Sequence, residues 1–220
     1  MTNPTAKIEW RDGGIPVSTQ FDDPYFSLDN GAAETRHVFL DGNGLPDRFS
    51  DGFHVGELGF GTGLNFLVCL QAWRDAGCAG TLRFTSFEAF PMAMPDLRAA
   101  LGAFEGLPIE TMASLDAFPT RLQGEDFDLT VILGDARETL PAWTGTCDAW
   151  FLDGFSPAKN PEMWSAALMG EIGRHTAQGG TAATYTAAGF VRRGLQDAGF
   201  DVTRTAGFGR KRHMTRAIKG

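Results

Sequence analysis

The 220-residue chain has no apolar stretch long enough to read as a membrane span, and its first residues, MTNPTAKIEWRDGG, lack the basic-then-apolar order of a secretory signal. The expectation is a cytoplasmic protein with no membrane partner. Cysteine is scarce. Cys69, Cys78 and Cys147 are an odd number without metal-ligand spacing, which argues against a zinc site or a disulfide framework and for thiols packed as small hydrophobes. No metal is expected. Internal repeats, low-complexity tracts and long linkers are also missing. The length therefore fits one domain, or one domain with an extra arm, large enough to bury a full core.

Positive charge is in the minority: 19 Lys and Arg stand against 27 Asp and Glu, a formal net charge of −8. That balance argues against indiscriminate nucleic-acid binding. The average conceals an asymmetry. From residue 190 onward eight basic residues (Arg192, Arg193, Arg204, Arg210, Lys211, Arg212, Arg216 and Lys219) face only Asp197 and Asp201, so the tail carries +6 and the rest −14. A basic edge on an acidic body suits a partner whose phosphates touch one side, and equally a solvated surface.

Residues 1–52 read as an N-terminal arm packed on a core that starts at residue 53. Within the arm, IEW, RDGG and IPVS form a short hairpin with its turn at Asp12-Gly13-Gly14. The stretch FDDPYFSLDNGAAETRHVFL, rich in turn formers and aromatics, reaches a helix near Ala32–Leu40. Strands then alternate with helices. FHVGEL, TLRFTSFEAF, DLTVIL, CDAWFLD and GGTAATYT are strands, and DVTRTAG with HMTRAIK makes a closing antiparallel pair. Helices are expected over TGLNFLVCLQAWRDA, Met94–Leu101 and AGFVRRGLQDAG. Another opens at Asn160-Pro161-Glu162, where a capping side chain precedes proline and an acid. This alternation predicts a mainly parallel α/β sheet with helices on both faces. Its ligands belong at the carboxyl ends of the strands, where strand order reverses.

Glu57-Leu-Gly59-Phe-Gly61-Thr-Gly63 lies between the first core strand and the first core helix. Glycines there let the backbone turn sharply and let a ligand lie close. A dinucleotide fingerprint beginning at Gly59 or Gly61 needs glycine or alanine five positions on, and finds Leu64 or Phe66 instead. An acid two residues before the first glycine is the pattern of S-adenosyl-L-methionine methyltransferases. Two later acids agree with it. Glu88 ends the second core strand, where a carboxylate can accept both ribose hydroxyls. Asp135 closes the next strand, where it can accept from an adenine amine or cap a helix starting at Ala136. In WFLDGFSPAKNPEMW an apolar strand delivers Asp153 to the cleft mouth, beside a transferred methyl group, with Phe155 ready to meet a planar substrate.

These segments resemble a known family: the methyltransferase domain of the bacterial tRNA wobble-uridine enzyme MnmC and its stand-alone counterpart MnmD. The resemblance runs through FDDPYFSLDNGAAETRHVFL, GFGTGLNFL, SFEAFP, DAWFLDGFSPAKNPEMW, AGFVRRGLQDAGF and GFGRKRHM, nearly the whole chain. It implies a Rossmann-like class I methyltransferase fold with a mainly parallel seven-stranded sheet. It also implies transfer of a methyl group from S-adenosyl-L-methionine to the amine of 5-aminomethyl-(2-thio)uridine at position 34 of tRNA. Glu57, Gly59, Gly61 and Gly63 would hold the methionine part of the cofactor, with Phe60, Thr62 and Asn65 of the same loop also against it. Glu88 would hold the ribose and Asp135 the adenine end. Asp153, the expected catalytic group, and Phe155 would face the target nucleoside. Asp29, Asn30, Gly31 and Lys159 match positions near the substrate pocket, and Arg210, Lys211 and Arg212 are candidates for the anticodon-arm backbone. Bifunctional members also carry a flavin-dependent oxidase half, and no dinucleotide fingerprint remains here for one. The expectation is a protein that accepts the free aminomethyl group but not the carboxymethylaminomethyl form, with a separate flavin-dependent oxidase as candidate partner.

Three rivals are open at this point. One is a methyltransferase of the same fold acting on another amine. The others are a dinucleotide-dependent oxidoreductase, against which Leu64 and Phe66 speak, and a non-catalytic nucleotide-binding module.

Overall fold

The computed structural model describes residues 4–11, 14–27 and 30–220. An antiparallel sheet comes first, with strands β1 (Ile8–Arg11), β2 (Ile15–Ser18) and β3 (Asp23–Pro24) side by side in that order. β1 and β2 are the expected hairpin, with Ile8 opposite Ser18 and Arg11 opposite Ile15. Of its turn only Gly14 is described, at φ 74°; Asp12 and Gly13 lie outside the described residues. Strand β3 has no counterpart in the sequence reading, because Asp23 and Pro24 read as turn formers.

The arm then enters α1 (Gly31–Thr35), capped by Asn30, whose Oδ1 accepts from the Ala33 N–H at 2.9 Å. The helix expected over Ala32–Leu40 does not continue as an α-helix. It widens into a π turn at Arg36–Leu40 and tightens into a 3-10 turn at Asp41–Asn43. Consecutive α-helical side chains fan out by about 100° each, so three in a row span a broad arc. The widened turn seats Val38, Phe39 and Leu40 together in the core, all buried.

The core strands are β4 (His54–Leu58), β5 (Leu82–Glu88), β6 (Arg121–Gln123), β7 (Phe127–Leu133), β8 (Cys147–Leu152), β9 (Thr176–Thr184), β10 (Phe200–Ala206) and β11 (His213–Lys219). Between them run α2 (Leu64–Asp75), α3 (Met94–Leu101), α4 (Glu110–Ala113), α5 (Ala136–Ala142), α6 (Ala166–Arg174) and α7 (Gly189–Asp197). Among the described residues the strands form an eight-stranded sheet in the order β10-β11-β9-β8-β4-β5-β7-β6. β4, β5, β7, β8 and β9 are mutually parallel, while β11, β10 and β6 pair antiparallel. The seven strands of the sequence reading are all there; the eighth, β6, is a three-residue edge strand with little apolar signal of its own.

β4 is the pivot. The chain steps from β4 to β5 and β7 on one side, then crosses to β8 on the other. Strand order reverses there, and a crevice opens at the carboxyl ends. Alternate side chains of β8 serve opposite faces: Ala149 and Phe151 join the core under α2 and α3, and Trp150 and Leu152 join that under α6 and α7. Helix α2 is buried from Leu64 to Leu70 and again at Trp73, since the arm covers the side turned away from the sheet. Its polar Asn65 is buried with the rest, which makes that side chain conspicuous.

The helix expected to open at Asn160 is different. Asn160 makes no side-chain cap, and Pro161–Trp164 is a 3-10 turn. Trp164 is buried and donates its Nε1–H to the Phe155 carbonyl at 3.0 Å, tying the turn back toward the cleft. Helix α6 starts only at Ala166, capped by Ser165, whose Oγ accepts from the Leu168 N–H.

Candidate active site

A cavity of about 740 Å³ lies over the carboxyl ends of β4, β5, β7, β8 and β9, in the range that takes a nucleoside-sized ligand. Its wall brings together Gly59, Phe60, Gly61, Thr62 and Asn65 of the loop, Glu88, Asp135, Asp153 and Phe155. Gly31, Arg210 and Lys211 also line it. Glu57 sits beneath, fully buried, and Gly63 starts α2 behind the wall.

The loop glycines are explained by backbone shape. Gly59, Gly61 and Gly63 stand at φ 85°, 54° and 77°, the left-handed region that side chains resist. A Cβ on Gly59 would press on Gly154 Cα at 3.3 Å, one on Gly61 would meet the Tyr25 ring at 3.2 Å, and one on Gly63 would collide with Met112 and Phe60. The space kept free is thus filled by protein, so the glycines let the loop fit against β8 and the arm. The sharp turn is the expected part of their role; the close fit against protein adds to it.

Asn65 organises the acids. Its Nδ2 donates both hydrogens to carboxylates, to Glu57 Oε1 at 2.9 Å and Asp153 Oδ2 at 2.8 Å, while its Oδ1 accepts from Thr35 Oγ1 at 2.7 Å. The other Asp153 oxygen accepts from the Gly154 N–H at 2.8 Å. Burial pushes the Asp153 carboxyl up to about 6, against the pull of Asn65 and Gly154; the charge of Glu34 adds to the rise and that of Lys211 opposes it. Burial also drives Glu57 up to about 8, with Ser86 and Asn65 opposing. Glu57 Oε2 has no hydrogen-bond partner of good geometry among the described residues. Glu88, also buried but on the cavity wall, accepts from the Gly61 N–H at 2.9 Å and the Phe90 N–H at 2.7 Å; burial raises its carboxyl too.

Two buried acids, Glu57 and Glu88, beside a half-buried third, Asp153, are costly unless a cation joins them. S-adenosyl-L-methionine carries a sulfonium and an ammonium, and its nucleoside end needs hydroxyl acceptors. The donor set fits that group, with Glu88 oriented by the loop amides and Glu57 and Asp153 locked by Asn65.

Other expected residues are placed as follows. Asp135 lines the cavity, but it caps α5 through the Arg137 N–H at 2.9 Å and pairs with the Arg137 guanidinium, which holds its carboxyl below the usual range. Asn30 is engaged as the cap of α1. Asp29 lies outside the described residues. Lys159 reaches the arm, bonding the Asp22 carbonyl and lying 3.6 Å from Asp23 Oδ1, while the Ser156 N–H donates to Asp23 Oδ2 at 2.8 Å. Arg212 is exposed and is not part of the wall.

Phe155 stacks on Phe21, centroids 4.7 Å apart, and meets the Tyr25 ring edge-on at 5.2 Å. The arm therefore builds one wall of the cavity, to which the sequence reading brought Asp29, Asn30 and Gly31 but not Phe21 or Tyr25. Glu34, Thr35 and Tyr185 were missed as well. Tyr185 follows β9 directly, and the rule that ligands gather beyond strand ends could have found it. Glu34 sends no signal, being one acid among many.

A Rossmann-like sheet with buried Glu57 and Glu88 and half-buried Asp153 at its switch-point cavity suits a methyl-transfer enzyme with a cationic nucleoside cofactor. The chain belongs to the S-adenosyl-L-methionine-dependent methyltransferase family, whose model matches residues 110–220, and S-adenosyl-L-methionine is its cofactor. It is similar to the tRNA 5-methylaminomethyl-2-thiouridine biosynthesis bifunctional protein MnmC of Pseudomonas aeruginosa, with 47% identity over 95% of this chain and 34% of that protein. The protein of the same name from Caulobacter vibrioides is 45% identical over 97% of this chain and 38% of its own length. The chain thus spans about a third of the length of these relatives. The crystal structure of MNMC2 from Aquifex aeolicus superimposes with a TM-score of 0.73 at 26% identity, over 97% of this chain and 70% of that one. A methyltransferase from Pyrococcus furiosus, 16% identical with a TM-score of 0.50 over 98% of this chain and 89% of that one, shares the fold alone. Family membership sets aside the oxidoreductase and the non-catalytic module. Among the described residues no helix is long and apolar enough to cross a membrane.

Proposed function

We propose that this methyltransferase acts on tRNA, methylating the amine of 5-aminomethyl-(2-thio)uridine at position 34 to give the 5-methylaminomethyl form. The observation that carries this reading is the similarity, along nearly the whole chain, to proteins named for biosynthesis of that nucleoside. The cavity supplies matching chemistry.

When bound, the cofactor supplies an electrophilic methyl group on sulfur. What the chain must supply is an acceptor amine with a free lone pair. An amine resembling lysine, with a pKa of about 10.4, is neutral only about once in 2,500 at pH 7. Asp153, pushed up to about 6, is a stronger base than an ordinary carboxylate yet still mostly ionised near neutrality. It accepts the ammonium proton, and enclosure beneath the arm lowers the amine's own proton affinity. Asn65 and Gly154 fix the carboxylate's direction, so the amine is oriented before reaction. Phe155, with Phe21 and Tyr25, forms an aromatic wall for a planar base.

The arm, residues 1–52, then serves as the substrate-side wall of a core spanning 53–220. Arg210, Lys211 and Arg212, on the hairpin between β10 and β11, would meet anticodon-arm phosphates while the uridine is splayed into the cavity. The bifunctional name of the relatives fits a second activity in the same pathway, and a flavin-dependent oxidase that supplies the free aminomethyl group would be that activity.

The test is incubation with undermodified tRNA and labelled S-adenosyl-L-methionine, then nucleoside analysis. Label in 5-methylaminomethyl-(2-thio)uridine is the expected result. Label confined to another acceptor, or none in tRNA, overturns the reading.

A further inference from the structure

Lys211 makes a contact that no cofactor role requires. Its Nζ lies 2.7 Å from Glu34 Oε1 and 4.2 Å from the centroid of the Tyr185 ring. All three residues line the cavity that Asp153 faces. A carboxylate beside the face of an aromatic ring is a receptor for an alkylammonium ion. The receptor is built rather than incidental. The Glu34 side chain is only 14% exposed, against 46% for Lys211, so the anionic half is enclosed and the cationic half reaches in from outside. Tyr185 is held in place by its hydroxyl, which donates to the Gly154 carbonyl at 2.7 Å, next to the carboxylate of Asp153. Glu34 stands in α1 directly before Thr35, whose hydroxyl bonds Asn65. One turn of helix therefore carries both the carboxylate half of the ammonium receptor and the support of the catalytic carboxylate.

We infer that Glu34 and the face of Tyr185 form the subsite for the acceptor's aminomethyl ammonium, and that Lys211 fills this subsite until substrate displaces it. The inference rests on the proposed aminomethyl substrate. Lysine and a protonated aminomethyl group present the same chemistry, a primary ammonium on a flexible carbon. Lys211 is thereby a built-in competitor. It keeps an enclosed carboxylate paired in the empty protein, and it leaves toward solvent, where phosphates would receive it. The subsite sets specificity, since a neutral 5-substituent would leave Glu34 unpaired after driving Lys211 out.

The test uses the full chain saturated with S-adenosylhomocysteine and two anticodon stem-loop RNAs, one with 5-aminomethyluridine and one with neutral 5-hydroxymethyluridine at position 34. The ratio of their affinities cancels every phosphate contact. We expect Glu34→Gln and Tyr185→Leu to lower the amine preference tenfold or more, Tyr185→Phe to keep it, and Lys211→Met to raise it at least threefold. Thermal melting and affinity for S-adenosylhomocysteine, unchanged from wild type, verify that each variant is folded with its cofactor site intact; Glu34→Asp replaces Glu34→Gln if the latter fails. A preference within twofold of wild type in Glu34→Gln and Lys211→Met overturns the subsite. Failure of the wild type to methylate the aminomethyl RNA overturns the substrate reading instead, and the subsite with it.

Discussion

Asn65 Nδ2 lies 2.8 Å from Asp153 Oδ2, joining the first turn of α2 to the end of β8 across the cavity floor. The same nitrogen bonds Glu57, so a single amide holds a buried and a half-buried acid apart and in register. Replacing it by Leu removes the only two hydrogens offered to that pair by this side chain and leaves Thr35 without its acceptor. We expect Asn65→Leu to weaken S-adenosyl-L-methionine binding by tenfold or more and to lower stability by about 1–3 kcal/mol, as expected when a buried polar group loses its partner. Calorimetric titration and chemical denaturation check the two effects.

Asp153→Asn keeps the shape and one of the two accepted hydrogen bonds, from Asn65 or from Gly154, but removes the base. Methyl transfer should fall by about 100-fold or more, the usual worth of a positioned general base, while cofactor affinity changes far less. Turnover within a few-fold of wild type would remove Asp153 from the mechanism.

In the wild type, Asp153 must be ionised to take a proton. Activity at saturating cofactor should therefore decline as pH falls through about 6, on a limb that Asp153→Asn lacks. A pH profile of single-turnover rates reads this directly.

Glu57 carries a carboxyl raised by burial to about 8, so ionising it opposes folding in the empty protein. A carboxyl whose native pKa is raised binds protons more tightly in the folded state. Its stabilising contribution is therefore complete below the unfolded value near 4.3 and is lost as pH rises toward 8. Ligand-free protein should lose stability across that window, by a few kcal/mol (on the order of 1.4 per pKa unit), and Glu57→Gln should flatten the slope. A sulfonium should reverse the trend. The affinity of S-adenosyl-L-methionine relative to neutral S-adenosylhomocysteine should climb over the same range, a comparison that cancels their shared amino group.

Gly63 begins α2 at φ 77° with Met112 and Phe60 against it. Gly63→Ala should cost about 1–2 kcal/mol from the left-handed backbone alone, and more from the collision. Equilibrium denaturation measures the sum, and a loss below 0.5 kcal/mol, roughly the scale of a neutral surface change, would deny the strain.

Lys211→Glu with Arg212→Glu should weaken tRNA binding and flatten its salt dependence, because fewer counterions are released per complex. Unchanged affinity and unchanged slope would remove the tail as the docking edge.

Much of this protein was readable from local chemistry. The alternation of apolar runs with glycine turns defines seven strands, and it does so because each strand needs only its own neighbours in sequence to declare its period. The loop from Glu57 to Gly63 and the acids Glu88 and Asp153 were equally visible, since strand ends at a switch point are the places where such a sheet binds ligands. Helix boundaries were less so. Proline after Asn160 signals a helix start wherever it stands, yet burial of Trp164 and its bond to Phe155 made the segment a 3-10 turn.

What no local reading supplied was partnership across the fold. Asn65 looks like one more loop residue until α2 is laid against β8 and its amide meets Glu57 and Asp153. Glu34, Tyr185 and Lys211 come from the arm, the end of β9 and the last hairpin, and only tertiary packing sets a carboxylate, a ring and an ammonium together. The order of apolar and glycine residues determined the sheet by itself, because that depends on period and turn geometry, and the acids beside the loop favoured a cofactor class that family membership then established. Protonation, and the acceptor recognition proposed above, depend on the three-dimensional structure, because both rest on burial and on charges brought close by distant parts of the chain.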